Sequence, residues 1–172
     1  MVAEVLGSIF KANGSDGLSL DERGSGNVFA TVTNSKFLAN GPNPVNLLDP
    51  DDGFDVDEHG GGSITLAITD SRFNNNFDDG IDIDERGPGS ITSDLDNVKA
   101  SRNLDQGITY DERNSGGLFA TINDSSVVNN DVGSQEIDIR GSQIDNGNGT
   151  LTLDNVAFGQ SALTGVELIM LP

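Results

Sequence analysis

Aspartates that recur at a fixed spacing are the residues of this chain best suited to chemistry. Asp51 and Asp52, then Asp78 and Asp79, precede a glycine, and Asp105 stands at the equivalent position one repeat later. Carboxylates are preferred ligands of Ca²⁺, which accepts about six to eight oxygens in loose geometry. The spacing therefore predicts a Ca²⁺ site formed by Asp51, Asp52, Asp78, Asp79 and Asp105. A solvated acidic turn is the alternative, because Asp and Gly are also ordinary turn residues.

A repeat brings these aspartates into register. Gly53, Gly80 and Gly107 lie 27 residues apart, and each begins a short strand in which apolar and polar residues alternate. Gly, Asn, Asp and Ser separate the strands, and no stretch has a sustained helical pattern. A period in this range is typical of solenoids. We predict an all-β parallel β-helix over residues 1–172, a single domain of about five to six coils with about three strands per coil.

Stacking at this period aligns residues of one type into columns. One column is predicted to be buried and consists of Phe10, Phe37, Phe73 and Phe158. A second column is predicted to stack through its side chains and consists of Asn40, Asn76, Asn103 and Asn130. In the fifth coil the pattern assigns Ile137 and Ile139 to inward positions, and Gly165 begins another copy of the same strand.

One repeat is longer than the others. Gly17 and Gly53 lie 36 residues apart, nine more than the usual spacing. The extra residues are 41–49, in which Pro42 and Pro44 lack the N–H that a strand ladder needs. We predict an inserted loop over residues 41–49.

The strand that follows each glycine ends in a charged turn. Its columns are Asp21, Asp57, Asp84 and Asp111, then Glu22, Glu58, Glu85 and Glu112, then Arg23, His59, Arg86 and Arg113. Like charges on neighbouring strands repel, so the basic column is predicted to form surface ion pairs. His59 shares the arginine column, which favours a role in this ladder over catalysis.

The pattern N-x-x-x-G-φ-x-φ, where φ is apolar, occurs at residues 13–20, 76–83 and 103–110. It resembles the repeats of right-handed parallel β-helices in the pectate-lyase-like superfamily, and the resemblance covers nearly the whole chain. It implies three sheets along one axis. That superfamily includes polysaccharide lyases, glycoside hydrolases, epimerases and non-catalytic surface or stalk modules. Asp78 and Asp79 resemble the paired aspartates of its polygalacturonase-like hydrolases, whose Gly-His and Arg-x-Lys companion motifs are missing here.

The composition is strongly acidic, with 28 Asp and Glu against 9 Lys and Arg and a formal charge of -19. Nucleic acid is not an expected partner, because its phosphates are bound by Lys and Arg. Cysteine is absent, which excludes disulfides and thiolate metal sites. No apolar run is long enough for membrane insertion, and no signal peptide is visible in this sequence. These features fit an extracellular or cell-surface location.

Both ends of the sequence fall inside a coil, which predicts a segment of a longer solenoid. Apolar residues near those ends predict self-association through unpaired strands: Val5, Leu6, Val166, Leu168, Ile169, Met170 and Leu171. The same acids recur in every coil, whereas an active site is singular. The expected function is therefore a non-catalytic extracellular module, a stalk, spacer or surface-display and adhesion segment, stabilised by Ca²⁺. The alternative is a polysaccharide-binding or polysaccharide-cleaving fragment. It would use the acidic sheet, which is the predicted sheet formed by the strands that begin at Gly53, Gly80 and Gly107.

Overall fold

The computed structural model describes residues 1–41, 51–131, 137–144 and 147–171, and these residues form strands and turns only. Every strand pairs in parallel with a strand three places away in the chain, which generates sheets of seven, six and six strands. Three strands therefore make one coil, and six coils are followed by one further strand. The predicted all-β parallel β-helix with three strands per coil is confirmed.

The sheets differ in strand length and in charge. The seven-stranded sheet comprises β1 (Val2–Leu6), β4 (Val28–Thr33), β7 (Ile64–Thr69), β10 (Ile91–Asp96), β13 (Gly117–Asn123), β16 (Asn148–Asp154) and β19 (Val166–Leu171). The narrow sheet comprises β2 (Ile9–Lys11), β5 (Lys36–Leu38), β8 (Arg72–Asn74), β11 (Lys99–Ser101), β14 (Ser126–Val128) and β17 (Ala157–Phe158). The acidic sheet comprises β3 (Leu18–Glu22), β6 (Phe54–Glu58), β9 (Ile81–Glu85), β12 (Ile108–Glu112), β15 (Ile137–Gln143) and β18 (Gln160–Thr164).

The predicted phenylalanine column runs through the narrow sheet. Phe37 stacks on both Phe10 and Phe73, with ring centroids 4.7 Å apart in each pair. Phe37 and Phe73 are fully buried. Phe10 and Phe158 are only partly buried, because each belongs to the outermost strand of this sheet and has a neighbouring coil on one side. Full burial is thus confirmed for the inner pair and wrong for the outer pair.

The asparagine ladder is confirmed and is one rung longer than predicted. Each side-chain amide donates to the side-chain oxygen of the next rung at 2.9–3.1 Å along Asn13, Asn40, Asn76, Asn103 and Asn130. Asn130 in turn donates to Oδ1 of Asp138 at 3.0 Å. The ladder ends there because a carboxylate has no N–H to pass on.

The register of the seven-stranded sheet follows the 27-residue period. Ile64, Ile91 and Leu118 stand opposite one another on β7, β10 and β13. Val28 of β4 also stands opposite Ile64, although 36 residues separate the two. The nine extra residues therefore leave this register intact. The predicted loop over residues 41–49 lies, apart from Gly41, outside the described residues.

The register predicted for the fifth coil is wrong by two residues. Ile139 of β15, and not Ile137, stands opposite Ile108 of β12. In this register the buried Asp138 accepts the side-chain amide of Asn130 and takes the place of an asparagine rung. That bond favours the observed alignment over the one that the apolar pattern indicates.

The assignment of the last strand is also wrong. The segment after Gly165 forms β19 of the seven-stranded sheet and is not another acidic strand. The final coil is short, since Gly149 of β16 pairs with Val166 of β19 only 17 residues later. Gly165 has a φ of +67°, a conformation that glycine adopts without steric cost, and this permits the tight turn into β19.

Apolar side chains are exposed on the two edge strands of the seven-stranded sheet. On β1 these include Val2 and Leu6, and on β19 they include Ile169, Met170 and Leu171. Each of these strands has a paired neighbour on one side only. Among the described residues, no helix has the length and apolar character needed to cross a membrane.

Candidate metal centre

The acidic sheet directs a row of polar side chains outward. On β6 and β9 the apolar residues face the core, so strand alternation places Asp55 and Asp82 on the outer side. The parallel register puts Asp55 directly opposite Asp82, and Ser19 opposite Asp55. Two carboxylates thus stand side by side on neighbouring strands, an arrangement that is unfavourable unless something compensates the charge.

The turn before each acidic strand holds a ladder of aspartates. Oδ1 of Asp16 accepts the backbone N–H of Asp52 at 2.7 Å, and Oδ1 of Asp52 accepts the backbone N–H of Asp79 at 2.8 Å. Oδ1 of Asp79 then accepts the backbone N–H of Gln106 at 2.5 Å. One oxygen of each of these carboxylates therefore binds the backbone of the next coil.

Asp52 of this ladder meets Asp55 and Asp82 in a three-carboxylate cluster. One oxygen from each side chain lies within 4.8 Å of the other two. The cluster lines a cavity of about 320 Å³. The cavity wall consists of Ser15, Asp16, Ser19, Asp51, Asp52, Asp55, Asp57, Asp78, Asp82 and Arg86. Nearly every wall residue offers a side-chain oxygen, so the cavity suits a cation.

Burial and crowding disfavour the charged form of all three carboxyls. Burial, followed by the charges of Asp82 and Asp79, raises the pKa of Asp52 to about 11. Burial raises the pKa of Asp55 to about 7, although the hydroxyl of Ser19 donates to it at 2.7 Å and favours ionisation. Burial is also the largest cause that raises the pKa of Asp82 well above its usual range. Without a cation, burial and mutual repulsion therefore favour the protonated form of these carboxyls.

One oxygen of the cluster lacks a hydrogen bond. Among the described residues, Oδ1 of Asp82 is fully buried and has no hydrogen-bond partner. Buried polar atoms in folded proteins are nearly always satisfied. A cation held between the three carboxylates would satisfy this one.

A second three-carboxylate cluster lies one coil further along the axis. Asp78, Asp79 and Asp105 each place one oxygen within 4.8 Å of the other two, and Asp79 is the buried member. Burial is the first cause that raises the pKa of Asp79 and of Asp105. The side-chain amide of Gln106 donates to Asp105 and offsets part of that effect. Both clusters have the donor set of an oxygen-ligated cation site.

The five predicted ligands are divided between these clusters. Asp52 belongs to the first, whereas Asp78, Asp79 and Asp105 form the second. Asp51 lines the cavity but joins neither group of three. The predicted site is therefore two adjacent sites, each able to hold a metal ion.

Sequence reasoning missed Asp55 and Asp82 as candidate ligands. The feature of the sequence that could have identified them is their outward-facing strand position, two residues after Gly53 and Gly80. The 27-residue period shows which residues stack, but it does not show that a turn residue and two mid-strand residues converge. That convergence depends on how the turn at Asp52 folds over β6.

The charged turn after each acidic strand contains the predicted ion pairs. They join Arg23 to Asp21, Arg86 to Asp84 and Arg113 to Asp111. Nε2 of His59 lies 3.6 Å from Asp21 and 3.5 Å from Asp57, in the column where the other coils have arginine. His59 thus occupies the ladder position predicted for it.

No family model matches the sequence, and no curated protein matches it. The chemistry of the site therefore rests on its geometry. In the described part of the chain, the cavity wall offers carboxylates, two serine hydroxyls and one arginine. This arrangement can bind a cation and can hold protons.

Proposed function

We propose that this chain is a non-catalytic β-helix module of an extracellular or cell-surface protein, stabilised by Ca²⁺ on its acidic sheet. The observation that carries the proposal is the convergence of Asp52, Asp55 and Asp82 on one cavity, where an oxygen of Asp82 is buried without a partner. The first two residues belong to the second coil and Asp82 belongs to the third. An ion at this point would join successive coils.

The spacing of the oxygens is compatible with Ca²⁺, and the open cavity around them suits its loose coordination shell. Ca²⁺ lies about 2.3–2.6 Å from its ligands, so two ligands on opposite sides of one ion are about 5 Å apart. The limit of 4.8 Å within the cluster of Asp52, Asp55 and Asp82 is compatible with that arrangement. Mg²⁺ requires shorter and nearly ideal octahedral contacts. A cavity of about 320 Å³ also leaves room for water to complete the looser shell of Ca²⁺.

Repetition supports a structural role. Two acidic clusters stand one coil apart, and they share the same residue type. An active site brings together different groups in distinct roles, such as a nucleophile, a base and an oxyanion donor. Extracellular modules commonly use Ca²⁺ sites with a Kd of about 10⁻⁴–10⁻³ M, which bind where Ca²⁺ is abundant.

Thermal unfolding in millimolar Ca²⁺ and in EDTA, at matched ionic strength, tests the proposal. A ligand that binds only the folded state adds about 2.7 kcal/mol of stability at a hundredfold excess over its Kd. We expect a higher melting temperature in Ca²⁺, and we expect Asp82→Asn to reduce the difference, because the cluster of Asp78, Asp79 and Asp105 stays intact. Asp96→Asn, an exposed change on β10 of the opposite sheet, should keep it. Coincident curves for the unmodified chain in Ca²⁺, Mg²⁺ and EDTA would identify the cluster as a solvated acidic turn.

A further inference from the structure

A column of glutamates lies inside the coils, at the end of the acidic strands. On β6, Glu58 follows Phe54 and Val56 at the inward-facing positions. Glu58, Glu85 and Glu112 are each 0% exposed. The expectation that these residues belong to a charged surface turn is therefore wrong, because strand alternation directs them inward while the aspartate before each one faces out.

One oxygen of these carboxyls holds the turn that follows. Oε1 of Glu58 accepts the backbone N–H of Gly60 at 2.9 Å and that of Gly62 at 3.2 Å. Oε1 of Glu85 accepts the backbone N–H of Gly87 at 2.7 Å. In the described part of the chain, Oε2 of Glu58 and Oε2 of Glu85 are fully buried and accept no hydrogen bond. Unsatisfied carboxyl oxygens at this depth require a donor.

Among the described residues, a neighbouring carboxyl of the column can supply this donor. The parallel register places Glu85 directly opposite Glu58 on one neighbouring strand and Glu112 on the other. Two ionised carboxylates cannot bond to each other, because neither carries a proton. A carboxyl that keeps its proton can donate to its neighbour.

The next rung of the column supports this interpretation. Gln143 stands opposite Glu112, and its Nε2 donates to Oε2 of Glu112. A glutamine amide has nearly the shape of a protonated glutamic acid and likewise offers a donor without a charge. The sequence thus places a neutral donor at the rung beside Glu112.

Other charges around the column do not neutralise it. The aspartates that precede the glutamates are Asp57, Asp84 and Asp111, and they pair with Arg86 and Arg113 on the outer side. Among the described residues, no glutamate forms an ion pair with arginine, lysine or histidine. Burial, assisted by the neighbouring Glu58 and Glu112, raises the pKa of Glu85 to about 8. Burial also raises the pKa of Glu112.

We propose that Glu58, Glu85 and Glu112 form a proton-sharing ladder, in which Glu85 is protonated at neutral pH and donates its O–H to a neighbouring carboxylate. Rising pH transfers this proton to solvent and leaves adjacent buried charges, which loosens the stack of coils. The ladder lies on the inner side of the strands, whereas Asp55 and Asp82 of the metal site lie on the outer side. It is therefore a pH-sensitive element separate from the cation site.

The direction of the pH effect follows from proton linkage. The folded chain holds the proton of Glu85 more tightly than the unfolded chain, in which a glutamate has a pKa of about 4.3. This contribution to stability is fully present below that value. It is lost as pH rises toward the folded-state pKa of about 8.

Infrared spectroscopy tests the protonation state directly. Glutamate is labelled with ¹³C, so that the C=O stretch of a protonated glutamate is separated from that of protonated aspartates, and EDTA removes divalent cations. We expect the labelled band near pH 7 in the unmodified chain and its loss by about pH 10. Glu85→Gln should lose the band, whereas Glu4→Gln, at an exposed residue of β1, should keep it. Absence of the band near pH 7 in the unmodified chain would overturn the proposal, whether or not Glu85→Gln folds.

Thermal unfolding in EDTA gives a second readout. The melting temperature of the unmodified chain and of Glu4→Gln should fall between about pH 6 and about pH 9. Glu85→Gln should show a smaller fall, because its amide keeps a donor at every pH. Equal falls in all three proteins would contradict the ladder.

Discussion

Asp82 and Glu85 stand on the same strand with opposite surroundings. The side chain of Asp82 lines a cavity open to ions, whereas Glu85 is enclosed by the core and by the glycine turn. A carboxyl on the outer side can be satisfied by a metal ion, and a carboxyl on the inner side can be satisfied only by a proton or a fixed donor. Acidic side chains of one strand therefore take two roles, and strand alternation decides which.

The effect of Ca²⁺ should depend on pH. A carboxyl must lose its proton before it binds a metal, and the pKa of Asp55 is raised to about 7 by burial. We expect the Ca²⁺-induced rise in melting temperature to be small near pH 6 and larger near pH 8. Calorimetry at both pH values, each against EDTA, measures this. An equal rise at both would show that protons and Ca²⁺ do not compete for the cluster.

Removal of one ring from the phenylalanine column should be costly. Phe73 is fully buried and stacks on Phe37, so Phe73→Ala leaves a cavity in a narrow core. We expect a loss of about 3–5 kcal/mol in the free energy of unfolding, measured by denaturant titration. Phe119→Ala is the matched control, because Phe119 is 48% exposed and its loss should cost less than about 1 kcal/mol. A similar small cost at Phe73 would mean that the column does not support the core.

At the scale of the element, close contact between neighbouring coils limits which side chains fit in the turn after each acidic strand. A Cβ atom added to Gly60 would lie 1.4 Å from the backbone oxygen of Gly24 in the preceding coil. A Cβ atom added to the next residue, Gly61, would meet no atom within 4 Å. Of these two adjacent glycines, Gly60 has no room for a side chain and Gly61 does.

These two glycines provide a matched pair of substitutions. Gly60→Ala should destabilise the fold by about 3 kcal/mol, because the backbone of one coil must move away from the other. Gly61→Ala should change stability by less than about 1 kcal/mol. Chemical denaturation of both variants checks the prediction, and equal effects would show that the coils are not in such close contact at Gly60.

The sequence alone was enough to predict the structural elements that repeat. The phenylalanine and asparagine columns follow from the 27-residue period, because identical residues gain most when they stack on one another. Prediction failed at β15, where Asp138 replaces an asparagine and moves the register. It also failed for Asp55 and Glu58, since identifying a metal ligand or a buried acid requires the path of the adjoining turn.

At the scale of the whole molecule, the sheets end in unpaired strands. The exposed fraction is 68% for Leu6 on β1 and 61% for Met170 on β19. Edge strands with free N–H and C=O groups and exposed apolar side chains pair readily with other chains. Exposed apolar side chains thus lie on both outermost strands of the seven-stranded sheet.

We expect this chain to self-associate at high concentration through its coil ends. Sedimentation velocity over a concentration series should show the average mass rising with concentration. Met170→Lys should reduce the association, because a charge on β19 opposes edge pairing. Thr92→Lys, an exposed change on the face of β10, should not. A monomer at millimolar concentration would contradict the prediction.

Each column of stacked polar residues changes residue type at one coil, and this change limits where the β-helix can be lengthened. The asparagine column ends on Asp138, the aspartate column on Gln106 and the glutamate column on Gln143. Extra copies of residues 64–90, inserted before Ile91, would stack like residues on like in every column. Copies placed after Asp138 would meet rungs of unlike chemistry. The third coil is thus the unit whose duplication should give a longer β-helix with matched columns. Duplication after the fifth coil would not keep the columns matched, because the asparagine and glutamate columns have changed residue type there.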